Sequence, residues 1–115
     1  MEKPRVRIYD WKPSESYREI PDGIDIKISK HLPSKLDSID ALILHSPPIH
    51  TKRFIRLMQQ AKSSNLPIIM NCSSAEYYNA VEVIMDAYDL KYPNVYYEAT
   101  PRDIASRIKK LIHKS

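Results

Sequence analysis

Glycine, cysteine and long apolar runs are scarce in this chain, and each scarcity argues against a class of function. The 115 residues include one glycine and one cysteine. The turn after the first apolar segment has no glycine, which argues against a dinucleotide site, and we predict no bound cofactor. A lone Cys72 excludes an intramolecular disulfide and a cysteine-rich zinc site. No stretch approaches the roughly 20 apolar residues of a membrane span, so no membrane partner is expected.

The remaining composition fits one small domain. The length and the 43% hydrophobic content predict a single α/β domain over residues 1–115. The N-terminus lacks the apolar block of a signal peptide, which predicts a cytoplasmic protein. Nine prolines against one glycine reduce the entropy of the unfolded chain, a balance typical of thermophile proteins. The net charge of +4 permits contact with nucleic acid.

Short apolar segments alternate with helix-patterned segments. Strands are predicted at 6–10, 24–28, 41–44, 67–70 and 95–97. Helices are predicted at 51–65, at 74–88 and from Thr100 onward, where a Thr–Pro pair marks a helix start. The two earlier connections offer only a short helix over 12–20 and one helical turn at 34–37.

This alternation predicts a three-layer α/β/α domain around a five-stranded parallel sheet, with its first two helices short. Right-handed crossovers favour the flavodoxin-like strand order 2-1-3-4-5. In that order Asp10, His45 and Cys72 follow three adjacent strands at one edge of the sheet. Open α/β sheets bind their ligands at this edge.

Asp10, His45 and Cys72 carry the residue types of a nucleophilic relay, in which the acid orients the imidazole and the imidazole activates the thiol. The alternative is that any doubly wound sheet has polar residues here and that Cys72 is a small buried side chain. We favour this alternative, because geometry defines a catalytic triad and residue type does not. A metal site on His45 and His50 is not predicted, since their spacing matches no helical pair.

Two serines precede the helix predicted at 74–88. Ser73 to Glu76 resembles a capping box, in which a serine and a glutamate satisfy the first helical N–H groups. The same position could hold an anion, so Ser73 and Ser74 are candidate anion-binding residues. Capping is the simpler interpretation.

Charge is divided between two helices that the predicted strand order makes neighbours. The helix at 51–65 carries bases and no acid, whereas the helix at 74–88 carries acids and no base. Opposite charges could pair between the helices, or between two copies of the chain. The basic residues are also candidates for contact with nucleic acid: Lys52, Arg53, Arg56, Lys109 and Lys110.

Tyrosine dominates the aromatic residues, with eight tyrosines against one Phe and one Trp. Tyrosine combines a large apolar ring with a polar tip, which suits protein interfaces. The candidate interface residues are Tyr77, Tyr88, Tyr96 and Tyr97. The alternative is that some of these rings cover the sheet.

Three segments carry a resemblance to a known family: Asp40 to His45, Pro67 to Ser73 and Asp103 to Ile112. They look like the third strand, the fourth strand and the final helix of the receiver domain of bacterial and archaeal response regulators, which the second half of the chain resembles. The resemblance implies a flavodoxin-like fold. It also implies a dimerisation surface on the helix at 74–88 and the strand that follows.

The chain departs from receivers where their chemistry lies. His45 replaces the phosphoacceptor aspartate, Asp10 is followed by Trp11 instead of a second acid, and no Lys–Pro pair follows the last strand. The resemblance therefore implies a non-enzymatic regulatory or protein-interaction domain that acts as a homodimer or binds another protein. The alternatives are a small enzyme or ligand-binding protein that uses Asp10, His45 and Cys72, and a nucleic-acid-binding protein that uses its basic helices.

Overall fold

Five parallel strands and three helices form the described part of the chain, residues 3–10, 20 and 22–112 of this computed structural model. The strands are β1 (Arg5–Tyr9), β2 (Asp25–Ser29), β3 (Ala41–His45), β4 (Ile68–Asn71) and β5 (Val95–Tyr97). The helices are α1 (Lys52–Ser64), α2 (Ala75–Ala87) and α3 (Pro101–Ile112). All neighbouring strands are parallel in the order β2-β1-β3-β4-β5, which confirms the predicted fold. None of these helices is long and apolar enough to cross a membrane.

Two hydrophobic clusters lie on opposite faces of the sheet. The side chains of β3 alternate between them, with Leu42 and Leu44 in one cluster and Ala41 and Ile43 in the other. Helices α1 and α2 cover the first cluster, and we call that side the α1–α2 face. Helix α3 covers the second cluster, on the α3 face. All four side chains are buried, as expected for a central parallel strand.

The helix ends follow signals in the sequence. The Thr51 hydroxyl accepts a hydrogen bond from the Phe54 N–H at 3.2 Å, and α1 ends at Asn65 in the left-handed region with φ of 56°. The Thr100 hydroxyl accepts from the Asp103 N–H at 3.1 Å, so α3 begins at the predicted Thr–Pro signal. Each such cap contributes about 1 kcal/mol to stability.

The connection between β2 and β3 contains no helix over residues 30–40. The helical turn predicted at 34–37 is wrong. Residues 34–36 form a bend and irregular chain, and Leu36 packs against the cluster on the α1–α2 face instead of forming part of a helix. The other short helix, predicted over 12–20, lies outside the described residues except for Ile20, which packs in the cluster on the α3 face. The first half of the sheet is therefore covered by a loop on the side where a second crossover helix is expected.

Candidate functional site

The carboxyl ends of β1, β3 and β4 bring Asp10, His45 and Cys72 to one edge of the sheet. In the register, Tyr9 of β1 lies opposite Leu44 of β3, so Asp10 follows beside His45. His45 lies opposite Asn71 of β4, and Cys72 is the next residue. Strand pairing continues one step further, because the Ser46 N–H donates to the Asn71 carbonyl at 2.9 Å.

The sheet separates the imidazole from the thiol. Alternation along β3 places His45 on the α3 face together with Ala41 and Ile43. Cys72 packs against the cluster on the α1–α2 face, on the same side as Met70. The three residues therefore share an edge, but Cys72 lies across the sheet from His45, and the structure does not assemble the relay of acid, imidazole and thiol.

The environment of Cys72 keeps its sulfur protonated. Burial raises the pKa of the Cys72 thiol to about 11, and the negative charge of Glu82 adds to the effect. A nucleophilic cysteine needs the opposite shift, because the thiolate is the reactive form. The thiol is free and half-buried, as expected of a small apolar side chain.

Asn71 is a structural residue at the same edge that the sequence prediction missed. Its side chain is 6% exposed, and its Nδ2 donates to the carbonyl oxygens of Glu98 at 2.9 Å and Ala99 at 3.2 Å. These bonds tie the end of β4 to the chain that leaves β5. A polar residue directly after a fully apolar strand was the available signal. Asp10 is also buried, and its N–H donates to the Ser29 carbonyl at 3.0 Å.

No metal cluster forms in the described part of the chain. Among residues 3–10, 20 and 22–112, no three His, Cys, Asp or Glu side chains come close enough together to hold an ion. The pair of His45 and His50 considered from the sequence therefore has no third ligand there.

Ser74 caps α2. Its hydroxyl accepts from the Tyr77 N–H at 3.1 Å, and its backbone is extended, as an N-cap requires. The prediction of a capping box from Ser73 to Glu76 is therefore wrong, because Ser74 is the cap and Tyr77, which cannot act as the glutamate of such a box, takes the third helical position. The Ser74 hydroxyl is already used within the helix. Ser73 is exposed one residue before the cap.

The four tyrosines predicted at an interface lie in different surroundings. The Tyr77 hydroxyl donates to the Pro47 carbonyl, and the Tyr77 ring packs on the α1–α2 face. The Tyr97 ring packs on the same face. Burial raises the pKa of both phenols. Tyr96 packs on the α3 face, with the Arg107 guanidinium 4.5 Å from its ring centre. Of these four tyrosines, Tyr88 at the end of α2 is the most exposed, at 52%.

Tyrosines also border the outer edge of β5. The exposed ring of Tyr78 packs edge-on against Tyr97, with ring centres 5.0 Å apart and planes at 82°. Two ion pairs flank them: Glu82 with Lys91 at 2.6 Å, and Glu98 with Arg107 at 3.3 Å. We call this surface the tyrosine face, and its residues are Tyr78, Tyr96, Tyr97, Glu82, Lys91, Glu98 and Arg107.

Six exposed cations form a second surface around the first half of α1 and the loop after β2. We call it the basic face, and its residues are Lys27, Lys30, Lys35, Lys52, Arg53 and Arg56. None of them forms an ion pair within the described part of the chain. The pairing predicted between the two helical segments is limited to Lys62, which lies 3.4 Å from Asp89 just after α2. Lys109 and Lys110 lie on α3, across the sheet, so the candidate nucleic-acid residues are divided between two faces.

Replacing Lys52 by Glu should stabilise the folded protein by about 1 kcal/mol, since an acid suits the positive end of a helix and can pair with Arg56 one turn later. Lys52 is the first residue of α1, whose first turn contains no acid. Urea denaturation measures the change. The same substitution at Lys109, in the last turn of α3, should destabilise the protein, because an acid there opposes the helix dipole. Equal effects at the two positions would contradict this interpretation.

The strand order matches that of flavodoxin-like domains, which serve many unrelated functions. Comparison with protein-family models, curated proteins and solved structures found no match to this chain.

Proposed function

We propose that this chain is a receiver-like, non-enzymatic interaction domain that forms a homodimer through the tyrosine face. The observation that carries the proposal is the open edge of β5, which is bordered by tyrosine rings on both sides of the sheet. Within the described sheet, β5 pairs only with β4, so its outer edge offers unpaired backbone groups.

The apolar content of the tyrosine face supports a protein partner. Tyr78 and Tyr97 form one aromatic pair beside β5, and Tyr96 lies against Arg107 on the other side of the strand. Tyrosine and arginine are enriched at the centres of protein interfaces, where they bury large areas and still satisfy their polar groups. An edge strand flanked by such side chains is suited to association.

The charges of the tyrosine face support a second copy of the chain as that partner. A two-fold interface brings the same surface of each copy together, so the surface must be complementary to itself. The tyrosine face carries both signs, in the pairs of Glu82 with Lys91 and Glu98 with Arg107. The basic face carries six cations, and two such surfaces would repel each other. Charge therefore favours the tyrosine face for self-association.

The non-enzymatic part of the proposal draws support from the strand ends. His45 and Cys72 lie on opposite faces of the sheet, and the pKa of the Cys72 thiol is raised to about 11. Neither feature suits nucleophilic catalysis.

Light scattering after size exclusion tests the homodimer. We expect a mass near twice 13.4 kDa at high protein concentration. Replacing the exposed Tyr78 by Glu places a negative charge beside Glu82 in both copies, and should weaken the dimer about 30-fold, as loss of an interface hot spot does. Circular dichroism checks that the variant remains folded.

Ile28 provides the matched control. It is 43% exposed on β2, at the opposite edge of the sheet, so Ile28→Glu adds the same charge far from the tyrosine face. This variant should associate as the unmodified protein does. A monomer at millimolar concentration, or equal dissociation by both variants, would overturn the proposal.

A further inference from the structure

We infer that the basic face binds single-stranded nucleic acid, with a base entering the cavity between β2 and the loop at residues 30–39. This inference does not depend on the dimer, because the basic face and the tyrosine face border opposite edges of the sheet. It rests on a cavity, on unpaired cations around it and on the shape of the surface between them.

The cavity lies where the connection between β2 and β3 has no helix. Its volume is about 550 Å³, and its apolar lining comes from Tyr9, Leu32, Ile39 and Leu42 on the α1–α2 face. A second hollow of about 200 Å³ shares Tyr9 and Leu32 with it and extends to the start of α1. The two hollows are therefore adjacent, and we call them together the depression between β2 and α1. The larger one is in the size range of small-molecule sites.

Cations surround this depression. Lys27 and Lys35 line the larger cavity, and Lys30 and Arg53 line the smaller one. Among the described residues that line either hollow, Asp37 is the one acid. The cations of the basic face are exposed and form no ion pair with the described acids, so they are available to an external anion.

Arg7 also lines the larger cavity, but it has a different role. Arg7 donates to the Asp25 carbonyl at 3.0 Å and lies 3.6 Å from the Asp25 carboxylate. It is therefore held by the strand pair, and the ligand charge must be met by the residues of the rim.

The arrangement of charge on α1 is unfavourable without an anion. Lys52 and Arg53 occupy the first turn of the helix, at the positive end of its dipole, and Arg56 lies one turn from Lys52. Cations at a helix N-terminus, and like charges four residues apart, both reduce stability. A bound phosphate chain would reverse both effects.

The shape of the basic face favours a single strand over other phosphate ligands. Its six cations are distributed over β2, the loop and the start of α1, which is more charge than one phosphate group requires and suits a chain of phosphates. A duplex keeps its bases stacked inside, whereas a single strand can turn one outward into an apolar cavity. An unpaired base of the single strand would therefore occupy the cavity that lies among the cations.

Fluorescence anisotropy with a labelled thymidylate strand of about 12 nucleotides tests the inference. With about five phosphates neutralised, affinity should fall about 100-fold between roughly 50 and 200 mM salt. The thymidylate strand should bind more tightly than an abasic strand of equal length and more tightly than the corresponding duplex. Of the three, only the thymidylate strand has a base free to enter the cavity. Equal affinity for all three would overturn the role of the cavity.

A pair of matched double variants tests the location. Arg53→Gln with Arg56→Gln should reduce affinity about tenfold and make the salt dependence shallower by about 1.4 in log–log slope, since two contacts are lost. Lys109→Gln with Lys110→Gln removes the same charge from α3 and should leave binding near that of the unmodified protein. If the α3 variant loses as much affinity as the α1 variant, or if no strand binds at low salt, the inference fails.

Discussion

Iodoacetamide should alkylate Cys72 about 100-fold more slowly than an ordinary cysteine at neutral pH, since its pKa lies near 11 against an ordinary value of 9.0. The reaction requires the thiolate, and at neutral pH each unit of pKa reduces the thiolate fraction tenfold. Burial is the main cause of the shift, and the negative charge of Glu82 is the second. Mass spectrometry of quenched samples gives the rate directly.

Two controls distinguish a thiol that is slow because it is buried from a thiol that His45 activates. Unfolding the chain in urea should restore the ordinary rate, since burial is then lost. Replacing His45 by Ala should leave the slow rate unchanged, because the imidazole lies across the sheet from the sulfur. Fast labelling of the folded protein that depends on His45 would instead support the relay and contradict the non-enzymatic proposal.

The same shift in the pKa of Cys72 predicts a loss of stability at high pH. The folded-state pKa is above the unfolded value, so the stabilising contribution is complete below pH 9 and is lost as the pH rises towards about 11. Burial also raises the pKa values of Tyr77, Tyr92 and Tyr97, which extends the loss to more alkaline solutions. Cys72→Ala should remove the thiol contribution and flatten the first part of the decline in urea denaturation.

Replacing Asn71 by Leu should destabilise the protein by about 3 kcal/mol and lower its melting temperature by about 12 °C. The substitution removes both hydrogen bonds to the carbonyl oxygens of Glu98 and Ala99. Leucine also fills the space, so water cannot replace the lost donor. A buried acceptor left without a partner costs about 1–3 kcal/mol.

Asn79 gives a matched comparison for this substitution. It lies exposed in the middle of α2, where Asn79→Leu should change stability by less than about 0.5 kcal/mol. Calorimetry on both variants decides the point. Similar melting temperatures for the two would show that the bonds from Asn71 contribute little to the joint between β4 and β5.

Much of the fold could be predicted because several local signals agree. Four consecutive apolar residues, Ala41 to Leu44, are typical of a strand buried on both faces, and the structure buries all four. Thr51 and Thr100 mark helix starts through their hydroxyls, and both act as caps. With the strands and helices alternating in this way, the handedness of the crossovers leaves few strand orders to choose from.

The arrangement of the candidate site could not be predicted, since it depends on register. The sequence shows where β3 and β4 end but not which residues lie side by side. His45 lies opposite Asn71, one residue short of Cys72, and a one-residue offset turns a side chain to the other face of the sheet. The cavity was missed for a related reason. Leu32, Leu36 and Ile39 anchor the helix-free loop, and their contacts are long-range.

The scarcity of glycine has a consequence for how this backbone is built. Among the residues that the structure describes, four other than glycine adopt left-handed torsions, Ser38, Ser46, Asn65 and Asp89, while Gly23 does so at φ of 87°. Each of the four carries local torsional strain that glycine would relieve. Glycine would also give the denatured ensemble more conformations to lose on folding. The two effects oppose each other, so these corners can retain their side chains at little net loss of thermodynamic stability.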